Sequence, residues 1–228
     1  MPKYLLTFEK GESVRWLGHL DILRTFERAI RRAGLPIAFS NGFNPRERLA
    51  FASALSVGVT GGAEPAVLEL TAPVLPDDVI ALLNAALPPG IRIRICQEIP
   101  DAGSRDLLNS FDRAEYEVVS ICPPETTPAD VEEAIHVLLA QTQLCIVRER
   151  EGRAKTVDIR PYLFHLSLRP GSVANGRLTL RLVVALGEGG SAKPVEILNA
   201  LAEHLPGLAA RRAHRVGLIE KQASGIGH

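Results

Sequence analysis

The chain has 228 residues, 46% of them hydrophobic and 23% charged, which is ordinary globular composition with room for one large domain or two small ones. Basic and acidic residues number 26 each, so the formal net charge is +0 and no global field draws the chain to a polyanion; such binding would need local segregation of charge. The opening residues MPKYLLTFEKGE hold no long apolar run, and no window reaches the ~18 apolar residues of a membrane span, so neither a secretory signal nor a membrane partner is expected, and the expected location is cytoplasmic.

Residues 4–9 alternate at Tyr4, Leu6 and Phe8, a strand pattern. A helix is expected from His19, with Gly18 as N-cap and Asp21 at the third helical position. Trp16, Leu20, Leu23, Phe26, Ile30 and Ala33 recur at helical spacing and mark its expected apolar face, and Gly34 with Pro36 mark its stop. A short apolar run, Ile37 to Phe39, leads into a loop from Ser40 to Arg48 that is rich in turn formers. Residues 49–59 read as extended, 60–65 as a flexible turn and 66–70 as a strand. A helix follows from Pro76 with Val79, Leu82, Leu83 and Leu87 inward, then a strand in which Ile91, Ile93 and Ile95 alternate with Arg92 and Arg94.

Residues 102–113 are expected as a linker, after which the order of elements repeats. A strand over 114–121 precedes a helix opened by Thr127, Pro128 and Asp130, an N-cap, a first-turn proline and an acid at the third helical position. Residues 144–147 read as a strand and 148–155 as a charged turn. Pro161 divides 156–168, so that stretch cannot be one central strand. Leu178, Leu180 and Leu182 mark a strand, 187–193 a flexible loop, Pro194 a helix start and 213–219 a last strand. The expected fold is α+β: two tandem ferredoxin-like (βαββαβ) modules, each an antiparallel sheet with helices on one face. The modules are placed at 1–101 and 114–221, with a disordered tail at 222–228.

Candidate chemistry lies mainly between Trp16 and Val59. Arg15, Arg24, Arg28, Arg31 and Arg32 cluster on or beside the first helix, and Asn44, Arg46 and Arg48 follow in the loop. Arginine's forked donors suit phosphate, so these residues are candidates for RNA contact. A second basic run, from Arg148 to Arg181, adds Arg160 to the candidates. Both sets also fit a solvated surface with local ion pairs such as Glu27–Arg31. His19 is the single catalytic candidate: at a helix N-terminus the dipole opposes the cation, the setting for a neutral imidazole acting as general base. No complete catalytic constellation is present. Cys96, Cys122 and Cys145 are far apart and lack Cys-x-x-Cys spacing, and the histidines form no paired motif, so no metal and no cofactor are expected. Gly58, Gly61 and Gly62 lack the strand–glycine-rich turn–helix context of a dinucleotide site.

Four motifs carry a family resemblance: HLD at 19–21, RAGLP at 32–36, GFNPR at 42–46 and DIRPY at 158–162. Together they resemble the radical-SAM-linked protein family, a domain of unknown function of the DUF2344 type, over most of the chain from Tyr4 to Ile219. Two positions depart from the family pattern. Gly18 stands where the family usually has serine, and Glu47 where it usually has a second proline. The resemblance implies partnership with a radical SAM enzyme. The chain has no Cys-x-x-x-Cys-x-x-Cys for an iron–sulfur cluster, so it is not expected to do radical chemistry alone. The family tends to occur beside ribonuclease G and ribosome-assembly genes, which implies RNA as a substrate. The resulting expectation is a non-catalytic accessory module that works with a radical SAM enzyme and presents tRNA or rRNA through its arginines. Two alternatives stand beside it. One is a metal-independent endoribonuclease of the Cas6 type with His19 as base and Arg46 or Tyr162 assisting, an analogy of fold only. The other is a protein-only adaptor for the radical SAM partner.

Overall fold

The computed structural model describes residues 1–100, 104–150, 152–187 and 190–221. The expected tail at 222–228, the start of the expected linker at 102–103 and part of the expected loop at 187–193 lie outside them. The chain divides into two compact units, Met1–Phe111 with the stretch from Glu220, and Asp112–Ile219.

The first unit contains β1 (Lys3–Lys10), α1 (His19–Arg32), β2 (Leu49–Phe51), β3 (Val59–Glu69), α2 (Pro76–Ala86), β4 (Ile91–Ile99) and a short α3 (Ser104–Asn109). β1 pairs antiparallel with β4 on one side and β3 on the other, and β2 pairs antiparallel with β3. Tyr4, Leu6 and Phe8 point to one face of β1 and share a core with Phe26 and Ile30 of α1 and Val79 and Leu83 of α2. Phe8, Phe26 and Phe51 meet edge to face with centroids 4.9–5.6 Å apart. Such pairs add about 0.5–1.5 kcal/mol each beyond burial. The buried Tyr4 hydroxyl donates to Val74 O (2.8 Å) and accepts from Val74 N (2.9 Å), which ties β1 to the segment before α2. Asn84 imitates a strand neighbour, donating to Ile93 O (3.0 Å) and accepting from Ile93 N (2.8 Å).

Four expectations change here, the simplest on α2, where Leu82, expected inward, is 41% exposed. The buried face of α1 is Ile22, Phe26, Ala29 and Ile30, while Trp16 and Leu20 are 66% and 62% exposed. Trp16 precedes the first helical turn, so its spacing to Leu20 carried no helical meaning. Residues 60–65 are no turn: β3 runs unbroken through Gly61, Gly62 and Pro65. The register slips by one residue between Phe8–Glu64 and Lys10–Gly61, a bulge that a glycine-rich strand accommodates. β4 also bulges. Thr7 faces Ile95 but Phe8 faces Ile93, so Arg94 is the extra residue. One inserted residue reverses the alternation, leaving Ile95 exposed and turning Cys96 inward. Burial, with Asp77 adding to it, pushes the Cys96 thiol up to about 11.

The second unit contains β5 (Phe111–Ile121, entered from the first unit), α4 (Pro128–Ala140), β6 (Cys145–Arg150), β7 (Arg153–Asp158), β8 (Leu163–Leu168), β9 (Arg177–Ala185), α5 (Pro194–Ala202) and β10 (Ala209–Glu220). Its strands lie in the order β10-β5-β9-β8, with β5–β9 and β8–β9 antiparallel. Val118 and Tyr116 of β5, Leu178, Leu180 and Leu182 of β9, Ile135 and Leu138 of α4 and Leu198 and Leu201 of α5 are buried. Thr127 caps α4 as its sequence implied: its hydroxyl accepts from Asp130 N (3.2 Å), and Asp130 Oδ2 accepts from Thr127 N (2.8 Å). The stretch read as a charged turn is instead an antiparallel hairpin, β6 paired with β7, in which Gly152 takes φ +75°. Alternating charges look turn-like in composition yet serve a strand exposed to solvent on both faces. The linker reading at 102–113 meets α3 and the start of β5.

The described residues thus form a mixed α+β molecule. Among them no helix is long and apolar enough to cross a membrane.

Candidate functional site

Three of the four motifs build the frame of one surface in the first unit. Asp21 accepts from Gly18 N (3.0 Å), the half of a capping box that needs no side chain at the N-cap. At the other end Leu35 N reaches Ile30 O (3.3 Å) and Gly34 N reaches Arg31 O (3.2 Å), with Gly34 at φ +67°. This is a Schellman stop, and it requires the left-handed glycine of RAGLP. Pro36 then directs the chain into the loop.

The loop is closed at its base. Ser40 N donates to Arg46 O (2.8 Å), Arg46 N donates to Ser40 Oγ (2.9 Å), Arg48 N donates to Ala38 O (2.8 Å), and Phe39 bridges Glu47. Arg31 Nε donates to Glu47 Oε1 (2.7 Å), which fastens the loop to the last turn of α1. Glu47 holds the Arg31 guanidinium above its ordinary value, first through that hydrogen bond and then through charge. The Glu47 side chain is 3% exposed, and its Oε2 has no partner among the described residues. The departure from the family's second proline therefore supplies an anchor.

The sequence-predicted arginines divide into two groups. Arg15 pairs with Glu12 and lies 4.6 Å over the Trp16 ring; Arg48 pairs with Glu69 (3.3 Å) and donates to Phe39 O; Arg32 donates to Ala86 O (2.5 Å). With Arg31, these four guanidinium groups are engaged in holding the fold. Arg24, Arg28 and Arg46 are exposed, and their side chains have no partner among the described residues. Arg24, Arg28 and Arg31 stand at i, i+4 and i+7, one stripe about 10 Å long on α1 that ends at the loop's base. Asn44 is exposed in the same loop.

His19 faces the ring of Phe51 edge-on at 5.7 Å and makes no hydrogen bond among the described residues. It lines a recess of about 20 Å³ with Phe8, Lys10, Phe51, Ser53 and Glu64, room for about one water molecule. Lys10, 1% exposed, donates to Arg15 O (2.9 Å) and Leu17 O (2.8 Å) and so fixes the turn that enters α1. Sequence reasoning missed this lysine; its signal was its place among Tyr4, Leu6 and Phe8 in the period-2 pattern.

The fourth motif lies in the second unit and is structural. Asp158 Oδ1 accepts from Leu144 N (2.8 Å) and Arg160 N (3.0 Å). The Arg160 guanidinium donates to Leu139 O (3.0 Å), Gln141 O (3.1 Å) and Leu163 O (3.2 Å), closing the C-terminus of α4. Nearby, Arg148, Arg153, Lys155, Lys193 and Glu196 help line a groove of about 990 Å³ between the β6–β7 hairpin and α5. Arg148 is committed: Nε and Nη2 meet Glu196 Oε1 and Oε2 (2.8 and 2.7 Å), and Nη2 also reaches Ser191 O (2.6 Å). Burial alone would raise the Glu196 carboxyl, but Arg148, the Lys193 N–H and neighbouring positive charge together hold it below its usual range. Arg153 and Lys155 are exposed and have no partner among the described residues. No cluster of three His, Cys, Asp or Glu side chains able to hold a metal occurs among the described residues.

Fold and surface together define a mixed α+β protein with an arginine-striped helix clamped to a polar loop. The chain belongs to the DUF2344 family, described as an uncharacterized protein conserved in bacteria, which it matches over residues 3–194. No curated protein matches it. Its fold is similar to a chain in the "Crystal Structure of a Cbf5-Nop10-Gar1 Complex", with a TM-score of 0.53 and 9% identity, covering 94% of this chain and 48% of that one. It is likewise similar to a chain in the "Structure of H/ACA RNP bound to a substrate RNA containing 2'-deoxyuridine", with a TM-score of 0.53 and 10% identity, covering 94% and 47%. The chain thus spans about half the length of these solved relatives.

Proposed function

We propose that this protein is a non-catalytic RNA-binding module that works beside a radical SAM enzyme in the cytoplasm and presents RNA to it. One observation carries the reading: in a chain of zero net charge, Arg24, Arg28 and Arg46 have no partner among the described residues, on one helix-and-loop surface whose other arginines are engaged. Unpaired guanidinium groups on a rigid frame suit phosphate, because forming the contact breaks no existing ion pair. The likeness in fold to a chain of a ribonucleoprotein bound to RNA supports the same reading. The radical SAM partner rests on the family resemblance. A tandem ferredoxin-like reading is supported by the strand order β4-β1-β3-β2 in the first unit and β10-β5-β9-β8 in the second, with the β6–β7 hairpin as an insertion.

The test is fluorescence anisotropy with tRNA and rRNA fragments over a range of salt. Three phosphate contacts to single-stranded RNA give a log–log slope of about −2. The Arg24→Ala/Arg28→Ala/Arg46→Ala protein is expected to bind at least about 10-fold more weakly, with that slope nearly abolished. Unchanged affinity and slope in the triple variant would remove this surface from the reading.

A further inference from the structure

Phe43 is 106% exposed, its ring packed against nothing among the described residues that would account for a large apolar side chain. An isolated exposed hydrophobe needs no explanation in itself. Phe43, however, stands at the tip of a loop whose base is closed by the Ser40–Arg46 hydrogen bonds and fastened to α1 by Arg31–Glu47. Gly42 before it takes φ +127°, a backbone conformation that glycine adopts without the strain a side chain would bring. On the far side of Phe43 come Asn44, exposed, and Arg46, exposed and with no partner among the described residues. The arginine stripe of α1 ends at the same base.

We propose that Phe43 is a stacking platform for an unpaired base, so that the RNA this surface takes is single-stranded where it crosses the loop. The inference rests on the RNA-binding reading above and deepens it. An aromatic face binds any base through its π-surface, beside cations that follow the phosphates; that combination is how single strands are held without sequence preference. A duplex has its bases stacked internally and offers Phe43 nothing. The charge beside Phe43 favours a nucleic acid over an apolar protein partner, since Arg24, Arg28 and Arg46, which have no partner among the described residues, would be buried unpaired under an apolar cover. Two further exposed aromatics of the first unit are less suited: Phe39, 50% exposed, is held in the bridge to Glu47 at the loop's base, and Trp16 has one face covered by Arg15 and a ring edge against Gly58.

The experiment compares the wild-type chain with Phe43→Ala, Phe43→Trp and the triple arginine variant. The probes are a short single-stranded RNA and the same sequence held in a duplex. Phe43→Ala is expected to weaken single-strand binding about 5- to 140-fold, the worth of one stacked base. Its salt slope should stay that of wild type, since stacking releases no counterions. Duplex binding should be unaffected, and Phe43→Trp should restore the single strand. Phe43 makes no packing contact, so a folding defect would not confound the result. Wild-type single-strand affinity in Phe43→Ala, alongside loss in the arginine variant, overturns the stacking role and leaves the RNA-binding reading standing. Equal loss on single strand and duplex also overturns it. A Phe43→Ala protein that binds RNA normally but no longer binds the purified radical SAM partner assigns Phe43 to a protein interface and overturns it too. If wild type binds neither RNA, both proposals fall.

Discussion

Lys10 shows how one buried charge can set a surface it does not reach. Its ammonium group sits under the turn that enters α1 and fixes the carbonyls of Arg15 and Leu17. An apolar substitute of similar length leaves those two carbonyls without their donor in a buried place. Hydrogen bonds from a charged group contribute about 1.5–3 kcal/mol each, with partial recovery from water, so Lys10→Met is expected to lower stability by about 2–4 kcal/mol. Urea unfolding of the purified chain measures this; a loss under ~0.5 kcal/mol would show that the turn holds itself. The same scale explains why the arginines of α1 are unequal. Identity and spacing made candidates of nine residues. Partners leave only Arg24, Arg28 and Arg46 of their guanidinium groups without one among the described residues.

At the level of elements, the hairpin of β6 and β7 is held to α5 by a two-pronged ion pair, and that pair has an acid limit. The folded-state value of Glu196 lies below the ordinary glutamate range. Its contribution is therefore fully present above the unfolded value, ~4.3, and is lost as pH falls through the folded one. Amide exchange across residues 145–150 and 153–158 is expected to quicken on acidification below about pH 4 while β9 stays protected. Glu196→Gln should show the fast exchange already at neutral pH. Much at this scale was legible in the sequence. Gly34 with Pro36 announced the stop of α1, Thr127 with Asp130 the start of α4, and Leu178, Leu180 and Leu182 the strand β9. What stayed hidden depends on contacts between distant residues. The bulge at Arg94 turns Ile95 out and Cys96 in, and it comes from the pairing with Thr7 and Phe8. Glu47 looked like a departure from the family's loop until Arg31 was found beside it. No local pattern could give either.

For the molecule as a whole, the balance of 26 acidic and 26 basic residues makes binding a matter of distribution. Arginine keeps its charge throughout the neutral range, whereas histidine loses its charge there. RNA affinity is accordingly expected to be nearly flat from about pH 6 to 9 at fixed salt. A steep fall between about pH 6 and 7 would show a histidine in the contact and overturn a surface made of arginines alone. The clamped loop has one more consequence. A disordered loop must be ordered when its partner arrives, which slows productive encounters and appears as unfavourable entropy. Here Arg31 and Glu47, with the Ser40–Arg46 hydrogen bonds, order it when the chain folds. Association then resembles a key entering a lock already cut: if the surface binds RNA as proposed, loosening the clamp with Arg31→Ala would leave Arg24, Arg28, Phe43 and Arg46 in place and still slow its capture, as stopped-flow fluorescence would measure.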